Sequence, residues 1–260
     1  MRKLLSADFI LLLRSKIFWA ALVFMAVGTA ILVVSTYNML VPYGYDPSDW
    51  SAEAAMFCML PGVGIITAIW LHLLIGSDVD QGTLRNKVTA GHTRGAIYYA
   101  HWLVAIGGAL LSLAVSLSIG TALSWYYFRT FLLDGADLVL VLTSCALLTV
   151  CYAAICVALA LNISHKASAV VCGILVMIAL AGAASLIDTL LSENMRQGWT
   201  PVTLRDHLVI LLYDLLPSGQ CVQISNLTFD HAAYWPLYSL ALTAIVTAIG
   251  YLLFRRKDMR

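Results

Sequence analysis

The sequence predicts an all-α, polytopic membrane protein with six transmembrane helices. The first observation is composition: 61% of the 260 residues are hydrophobic and 11% are charged, with a mean hydropathy of +0.88. Soluble domains carry about 25% charged residues, so most of this chain must face lipid. The second is a set of six long apolar stretches, and the third is an uneven distribution of basic residues. A net charge of +1 without a basic stripe disfavours nucleic-acid binding.

The six apolar stretches are each long enough to cross a bilayer. A spanning helix needs about 20 mostly apolar residues, because hydrocarbon tolerates no unpaired backbone polar group. The predicted spans are roughly 17–40, 54–76, 96–127, 138–161, 167–189 and 231–254. The connecting segments are too short for a soluble domain, so residues 1–260 are interpreted as a single transmembrane domain.

The basic residues indicate the orientation. Twelve of the 15 lysines and arginines lie at the two termini, after the second span and after the fourth; the others are Arg129, Arg196 and Arg205. Positive residues are retained on the cytoplasmic side. We therefore expect a multi-pass protein of the cell membrane with cytoplasmic N- and C-termini, which also requires an even number of spans.

Residues 1–16 are predicted to form an interfacial helix rather than a cleaved signal peptide. The apolar run is interrupted by Asp8, Arg14 and Lys16, which is unlike a signal peptide. One helical face carries the apolar residues Leu5, Phe9, Leu12 and Leu13. The alternative is an ordinary basic flank to the first span.

Residues 77–95 form the longest predicted cytoplasmic connection. Asp78 and Gln81 have the spacing of a capping box, Gly91 is placed as a helix C-cap, and Thr93 as the cap of the third span. This predicts a helix of about ten residues, with Leu84 and Val88 on one side and Arg85, Asn86 and Lys87 around the others. Because so short a helix is marginal alone in water, it needs a partner surface.

The predicted outer segment, residues 190–230, contains an apolar piece that is too short and too charged to span. Thr200 and Pro201 form a helix start, and the run 202–216 is ended by Pro217-Ser218-Gly219. Such a helix is about 24 Å long at 1.5 Å per residue. We expect it to lie on, or dip into, the outer leaflet; a plain structured loop is the alternative.

The histidines and cysteines give weaker signals. His72 and His101 lie near the predicted cytoplasmic interface, where we expect neutral imidazoles bonded to water or a helix carbonyl rather than ligands or proton relays. The six cysteines are interpreted as small apolar core residues. Cys58 and Cys221 both fall on the predicted outer side, which leaves a disulfide between them open.

The loop at 77–95 also carries a family motif. The motif begins with an acidic residue, Gly-Thr, an aliphatic residue, Arg and Asn, and it continues with Gly-x-x-Arg. The matching residues are Asp80, Gly82, Thr83, Leu84, Arg85, Asn86, Gly91 and Arg94. With the six-span layout and Leu216-Pro217-Ser218-Gly219 before the last span, the chain resembles the permease subunits of type-2 ABC exporters. The resemblance is strongest to bacterial antimicrobial-peptide, lantibiotic or drug export and immunity permeases. Gln81 departs from the family, where a small or acidic residue is common.

The resemblance implies a transporter subunit that is not itself an enzyme. Its coupling helix would dock on one of two separate ATP-binding subunits, which would hold ATP and Mg²⁺, beside a second permease copy or a homologous permease in the lipid bilayer. This chain would hold no cofactor or metal. The implied docking residues are Asp80, Gln81, Gly82, Thr83, Leu84, Arg85, Asn86, Lys87 and Val88.

Residue patterns agree with that expectation and restrict the substrate. The sequence has no GxxxxGK[ST] phosphate loop and no HExxH or GxSxG set. No predicted span has a central acid, which disfavours small-ion transport and a proton- or sodium-driven secondary transporter. A hydrophobic or amphipathic substrate, such as an antimicrobial peptide, a lipid or a drug, is favoured. A secondary transporter and a membrane anchor or scaffold without transport activity remain the alternatives.

Overall fold

The computed structural model describes residues 2–43, 50–196, 203–229 and 231–257. Within these residues, six helical stretches are long and apolar enough to cross a membrane. The prediction of an all-α, six-span fold is therefore confirmed, and the chain is a multi-pass helical membrane protein.

The described elements follow the predicted order. The helices are α1 Arg2–Arg14, α2 Lys16–Leu40, α3 Ala52–Met56, α4 Leu60–Asp80, α5 Thr83–Thr89, α6 Arg94–Tyr127, α7 Gly135–Asn162, α8 Lys166–Arg196, α9 Leu204–Leu215, α10 Pro217–Ser225 and α11 Trp235–Arg256. The spans are α2, α3 with α4, α6, α7, α8 and α11. We call the end of the bundle that carries α1, α5 and the starts of α6 and α8 the basic end, and the other the opposite end.

Helix α7 lies at the centre of the bundle, in contact with α4, α6, α8 and α11. Its buried side chains are mostly small, including Ala153, Ala154 and Ala160, and small residues allow membrane helices to approach closely. At the crossing with α11, a Cβ on Gly250 would lie 2.6 Å from the Cβ of Ala158. The core is thus closely packed around α7, while α2, α8 and α11 keep many apolar side chains exposed to lipid.

The second span is divided, whereas the sequence predicted one continuous helix over 54–76. Helix α3 ends at Met56 and α4 begins at Leu60. Pro61 lies in the first turn of α4, where its missing N–H is not needed for a helix hydrogen bond. The proline therefore starts a new helix and leaves α3 as a separate turn at the opposite end.

Helix α3 holds the loop between α6 and α7 through a buried carboxylate. Oε1 of Glu53 accepts hydrogen bonds from the backbone N–H groups of Leu132 at 2.6 Å and Leu133 at 2.8 Å. The side chain is fully buried. The backbone N–H of Ala52 adds a bond to the carbonyl of Thr130 at 2.8 Å. The loop is thereby fixed against the start of the divided span.

Replacing Glu53 with alanine will lower the free energy of unfolding by about 2 kcal/mol, because two backbone N–H groups lose a charged acceptor that is itself fully buried. Glu53→Gln keeps a carbonyl oxygen at that position and will lose less. Chemical unfolding of the purified protein in detergent, followed by tryptophan fluorescence, measures both. An alanine variant as stable as wild type would contradict this role of Glu53.

The segment before the last span is a bent helix pair rather than the single helix that was predicted. The expected start at Thr200 and Pro201 lies outside the described residues; α9 begins at Leu204, and Thr203 and Asp206 form a capping box. Pro217 does not simply end the helix, because it begins α10, and the two axes differ by 87°. Such a pair is a broken span or a re-entrant loop, which agrees with a segment that dips into the membrane.

Candidate functional site

The loop between α4 and α6 forms a shorter helix than predicted. Asp78 lies in the last turns of α4, so the expected capping box with Gln81 is wrong. Gly82 turns the chain with φ +66°, in the left-handed region that favours glycine. Helix α5 therefore has seven residues. The two predicted caps are confirmed. Gly91, at the end of α5, has φ +88°, and Oγ1 of Thr93 caps α6 by accepting from the N–H of Ala96 at 3.2 Å.

Helix α5 has an apolar face and an exposed polar face, as the sequence predicted. Leu84 is 7% exposed, and both it and Val88 pack into the main core. Arg85, Asn86 and Thr89 are exposed on the other face, and Gln81 is exposed just before the helix. Lys87 differs from the expectation for a surface residue, because its side chain is 13% exposed and is directed into the bundle.

Lys87 is the centre of a buried ion cluster at the basic end. Its Nζ lies 2.8 Å from Oδ1 of Asp8 and 3.2 Å from Oδ2 of Asp78. Nε2 of His101 lies 3.2 Å from the same oxygen of Asp78. We call these four residues the basic-end cluster. They come from α1, α4, α5 and α6, so one lysine of α5 connects that helix to three other elements.

The basic-end cluster is almost excluded from solvent. Asp8, Asp78 and His101 are each 6–7% exposed, and charges at such depth are tolerated only when they are paired. Nδ1 of His101 donates to the carbonyl of Ile97, 2.9 Å away. Its Nε2 faces the Asp78 carboxylate and lies 3.5 Å from the Lys87 ammonium. Each nitrogen of the His101 ring therefore has a polar partner within the bundle.

The same residues present a ligand set of the type that binds divalent metals. Asp8, Asp78 and His101 offer ligand atoms that all lie within 4.8 Å of one another, and carboxylate with imidazole suits several transition metals. The Lys87 ammonium, however, already contacts both carboxylates. The cluster therefore contains its own counter-cation.

Asp80, the first residue of the family motif, is exposed to solvent and also contacts the start of α8. Its Oδ1 accepts from the backbone N–H of Lys166 at 3.2 Å, at the start of α8, where a carboxylate also complements the helix dipole. A Cβ on Gly76 would lie 2.8 Å from Cγ of Lys166, so α4 and α8 cross closely here. The segment before α5 is thereby attached to a further span.

A second set of contacts, which we call the C-terminal clamp, joins three spans at the basic end. Nη1 of Arg94 donates to the carbonyls of Arg255 at 2.6 Å and Lys257 at 2.9 Å. Nζ of Lys257 donates to the carbonyls of Leu161 at 2.9 Å and Ile163 at 3.3 Å, at the end of α7. Burial lowers the pKa of the Lys257 amine. The start of α6 and the ends of α7 and α11 are thus linked.

The motif before the last span lies at the bend between α9 and α10. Leu216 is the joint, and Pro217, Ser218 and Gly219 are buried in the first turn of α10. Oγ of Ser218 is 2.9 Å from the hydroxyl of Tyr152 on α7. These residues fix the bent pair to the central helix and do not lie near α5.

The two histidines and the six cysteines singled out in the sequence have the following positions. His72 is fully buried and its Nδ1 is 2.7 Å from the carbonyl of Ala68, as expected for a histidine bonded to its own helix. His101 is bonded to its own helix and also contacts Asp78 on α4. The sequence did not predict this second contact. All six cysteines are free, so Cys58 and Cys221 form no disulfide.

No protein-family model matches the chain, and no curated protein matches it. The functional assignment therefore depends on the motif of α5 and on the geometry of the basic end. Two features of that end require an explanation: a short amphipathic helix with an uncovered polar face, and a buried ion cluster that attaches the helix to the spans.

Proposed function

We propose that this chain is the membrane-spanning permease subunit of an ATP-driven ABC exporter, and that α5 is its coupling helix. The single observation that carries the proposal is the two-sided attachment of α5. Arg85 and Asn86 face outward on an exposed surface, while Lys87 connects the opposite side to α1, α4 and α6. A lever between a partner protein and a helix bundle needs both features.

In this proposal the basic end is cytoplasmic, in agreement with the positive-inside rule. Two ATP-binding subunits hold ATP and Mg²⁺ and receive the polar face of α5. When they close on ATP, the displacement of α5 acts on α1 and α6 through Lys87 and on the core through Leu84. Helix bundles respond to such displacements by switching between discrete packings.

The exported substrate is hydrophobic or amphipathic, such as an antimicrobial peptide, a lipid or a drug, and export would confer resistance or immunity to such a compound. The central helix α7 supports this class, because its buried face consists mainly of apolar and small residues with few polar groups. A second copy of the chain, or a homologous permease, completes the transport path in the proposal. Catalysis of ATP hydrolysis belongs to the partner subunits.

The test is recovery of a soluble ATP-binding subunit with the tagged chain after detergent extraction. Leu84 is unsuitable for substitution because it is buried, so the informative variant is Arg85→Glu, on the exposed face. We expect wild type to recover an ATP-hydrolysing partner and Arg85→Glu to recover roughly tenfold less, as charge reversal at a contact costs more than 1.4 kcal/mol. Arg256→Glu, at the end of α11, is the matched control and will recover as much as wild type.

Two outcomes would count against the proposal. Recovery of no ATPase with a monodisperse wild-type protein would favour a scaffold or a secondary transporter. Equal recovery with wild type and Arg85→Glu would show that the partner binds elsewhere than on α5.

A further inference from the structure

A groove lies at the basic end between the junction of α1 with α2, the end of α4 and the start of α8. Its volume is about 260 Å³, and its polar lining comes from Arg14, Ser15, Ser77, Asp78, Gln81 and Lys166. This volume lies just below the range of roughly 300–1,000 Å³ that is typical of sites for drug-sized ligands, so the groove suits a small polar group rather than a large molecule. The groove includes Gln81, just before α5, but not Arg85, Asn86 or Thr89 on the exposed face of that helix.

One wall of the groove is apolar. Leu11, Ile17 and Leu73 contribute to it, and Leu11 and Ile17 are 45% and 40% exposed. These residues stand at the level where the interfacial helix α1 passes into the first span α2. The groove thus joins a polar pocket to a surface that faces the acyl chains of the membrane.

The polar part of the groove carries positive charge that the protein does not neutralise. Within the described residues, the side chains of Arg14 and Lys166 form no hydrogen bond or ion pair. Asp78 also lines the groove, but its carboxylate is engaged by Lys87 and His101. Asp80 accepts from the backbone of Lys166 and not from its ammonium.

We propose that this groove binds the headgroup of an anionic phospholipid from the leaflet at the basic end. The guanidinium of Arg14 and the ammonium of Lys166 pair with the phosphate and any second headgroup charge. The amide of Gln81 can pair with headgroup hydroxyls. The Ser15 hydroxyl, which accepts from the N–H of Phe18, can still donate, and the Ser77 hydroxyl, which donates to the carbonyl of Leu74, can still accept. The acyl chains follow the apolar wall. Basic pockets between spans at the membrane surface suit such headgroups.

The test compares lipid retained by the purified protein in native mass spectrometry. The protein is reconstituted into nanodiscs of equal parts phosphatidylglycerol and phosphatidylcholine, extracted into mild detergent, and its bound lipids are counted. Two basic side chains at a membrane surface account for roughly a 30-fold preference for anionic lipid. We expect wild type to retain phosphatidylglycerol over phosphatidylcholine, and the double variant Arg14→Gln with Lys166→Gln to lose that preference.

Two further variants make the result specific. Arg256→Gln removes one positive charge from the same end of the molecule outside the groove, and it will keep the preference of wild type. Arg14→Lys with Lys166→Arg preserves both charges and will keep it too, which separates lost binding from a failure to fold. Absence of a preference in wild type, an equal loss in the Arg256→Gln control, or retention in the double glutamine variant would each overturn the proposal. The outcome does not depend on an ATPase partner.

Discussion

Replacing Lys87 with methionine will lower the free energy of unfolding by about 3–5 kcal/mol, because the substitution leaves two buried carboxylates without their cation. Asp8 and Asp78 are 6% and 7% exposed, and both contact the Lys87 ammonium. Methionine has a similar length and fills the same space, so the loss reports the charge rather than the packing. Thermal or chemical unfolding of the purified protein in detergent measures it.

The matched control for this prediction is Arg85→Met on the same helix. Arg85 is exposed and its substitution will change the stability by less than about 0.5 kcal/mol. Adding Asp8→Asn to Lys87→Met removes one of the stranded charges and will recover part of the lost stability. If Lys87→Met and Arg85→Met were equally stable, the basic-end cluster would not be a paired, buried network.

Replacing Gly219 with alanine will destabilise the bent pair of α9 and α10 by about 3 kcal/mol or more, since overpacking at a rigid contact forces the backbone to move. A Cβ at this position would overlap the carbonyl oxygen of Tyr213, and it would lie 2.9 Å from Cδ2 of the tyrosine ring. The obstacle is partly backbone, so a change of rotamer cannot relieve it. The unfolding midpoint of the purified variant measures the effect.

Gly182 in α8 provides the control for Gly219. A Cβ there would meet no atom within 4 Å, and alanine favours a helix over glycine by roughly 0.5–1 kcal/mol. Gly182→Ala will therefore be as stable as wild type or slightly more stable. A Gly219→Ala variant as stable as Gly182→Ala would contradict the close approach of Tyr213 to α10.

The spans and the loop helix could be predicted because each depends on local sequence. Twenty apolar residues in succession determine a membrane helix, and Leu84 with Val88 determines which side of α5 is buried. The caps at Gly91 and Thr93 also follow from local chemistry. These features require no knowledge of what lies across the fold.

The basic-end cluster could not be derived in this way, because its members are far apart in sequence. Asp8 and Lys87 are separated by 79 positions and Asp78 and His101 by 23, and no periodicity connects them. One usable signal was an acidic residue within the basic N-terminal segment, where Asp8 interrupts an apolar helix face. The division of the second span at Pro61 and the new helix at Pro217 were missed for another reason: proline can either end a helix or begin one.

The C-terminal clamp has a consequence for how the bundle can deform. Four hydrogen bonds from Arg94 and Lys257 hold the same ends of α6, α7 and α11 together, so these helices behave as one rigid body at that end. Helix α8, by contrast, leaves most of its surface to lipid and contacts mainly α4. Since the basic-end cluster also ties α4 to α6, the span that can move against these clamped helices is α8, which is held to α4 at this end through the hydrogen bond from the backbone N–H of Lys166 to Asp80.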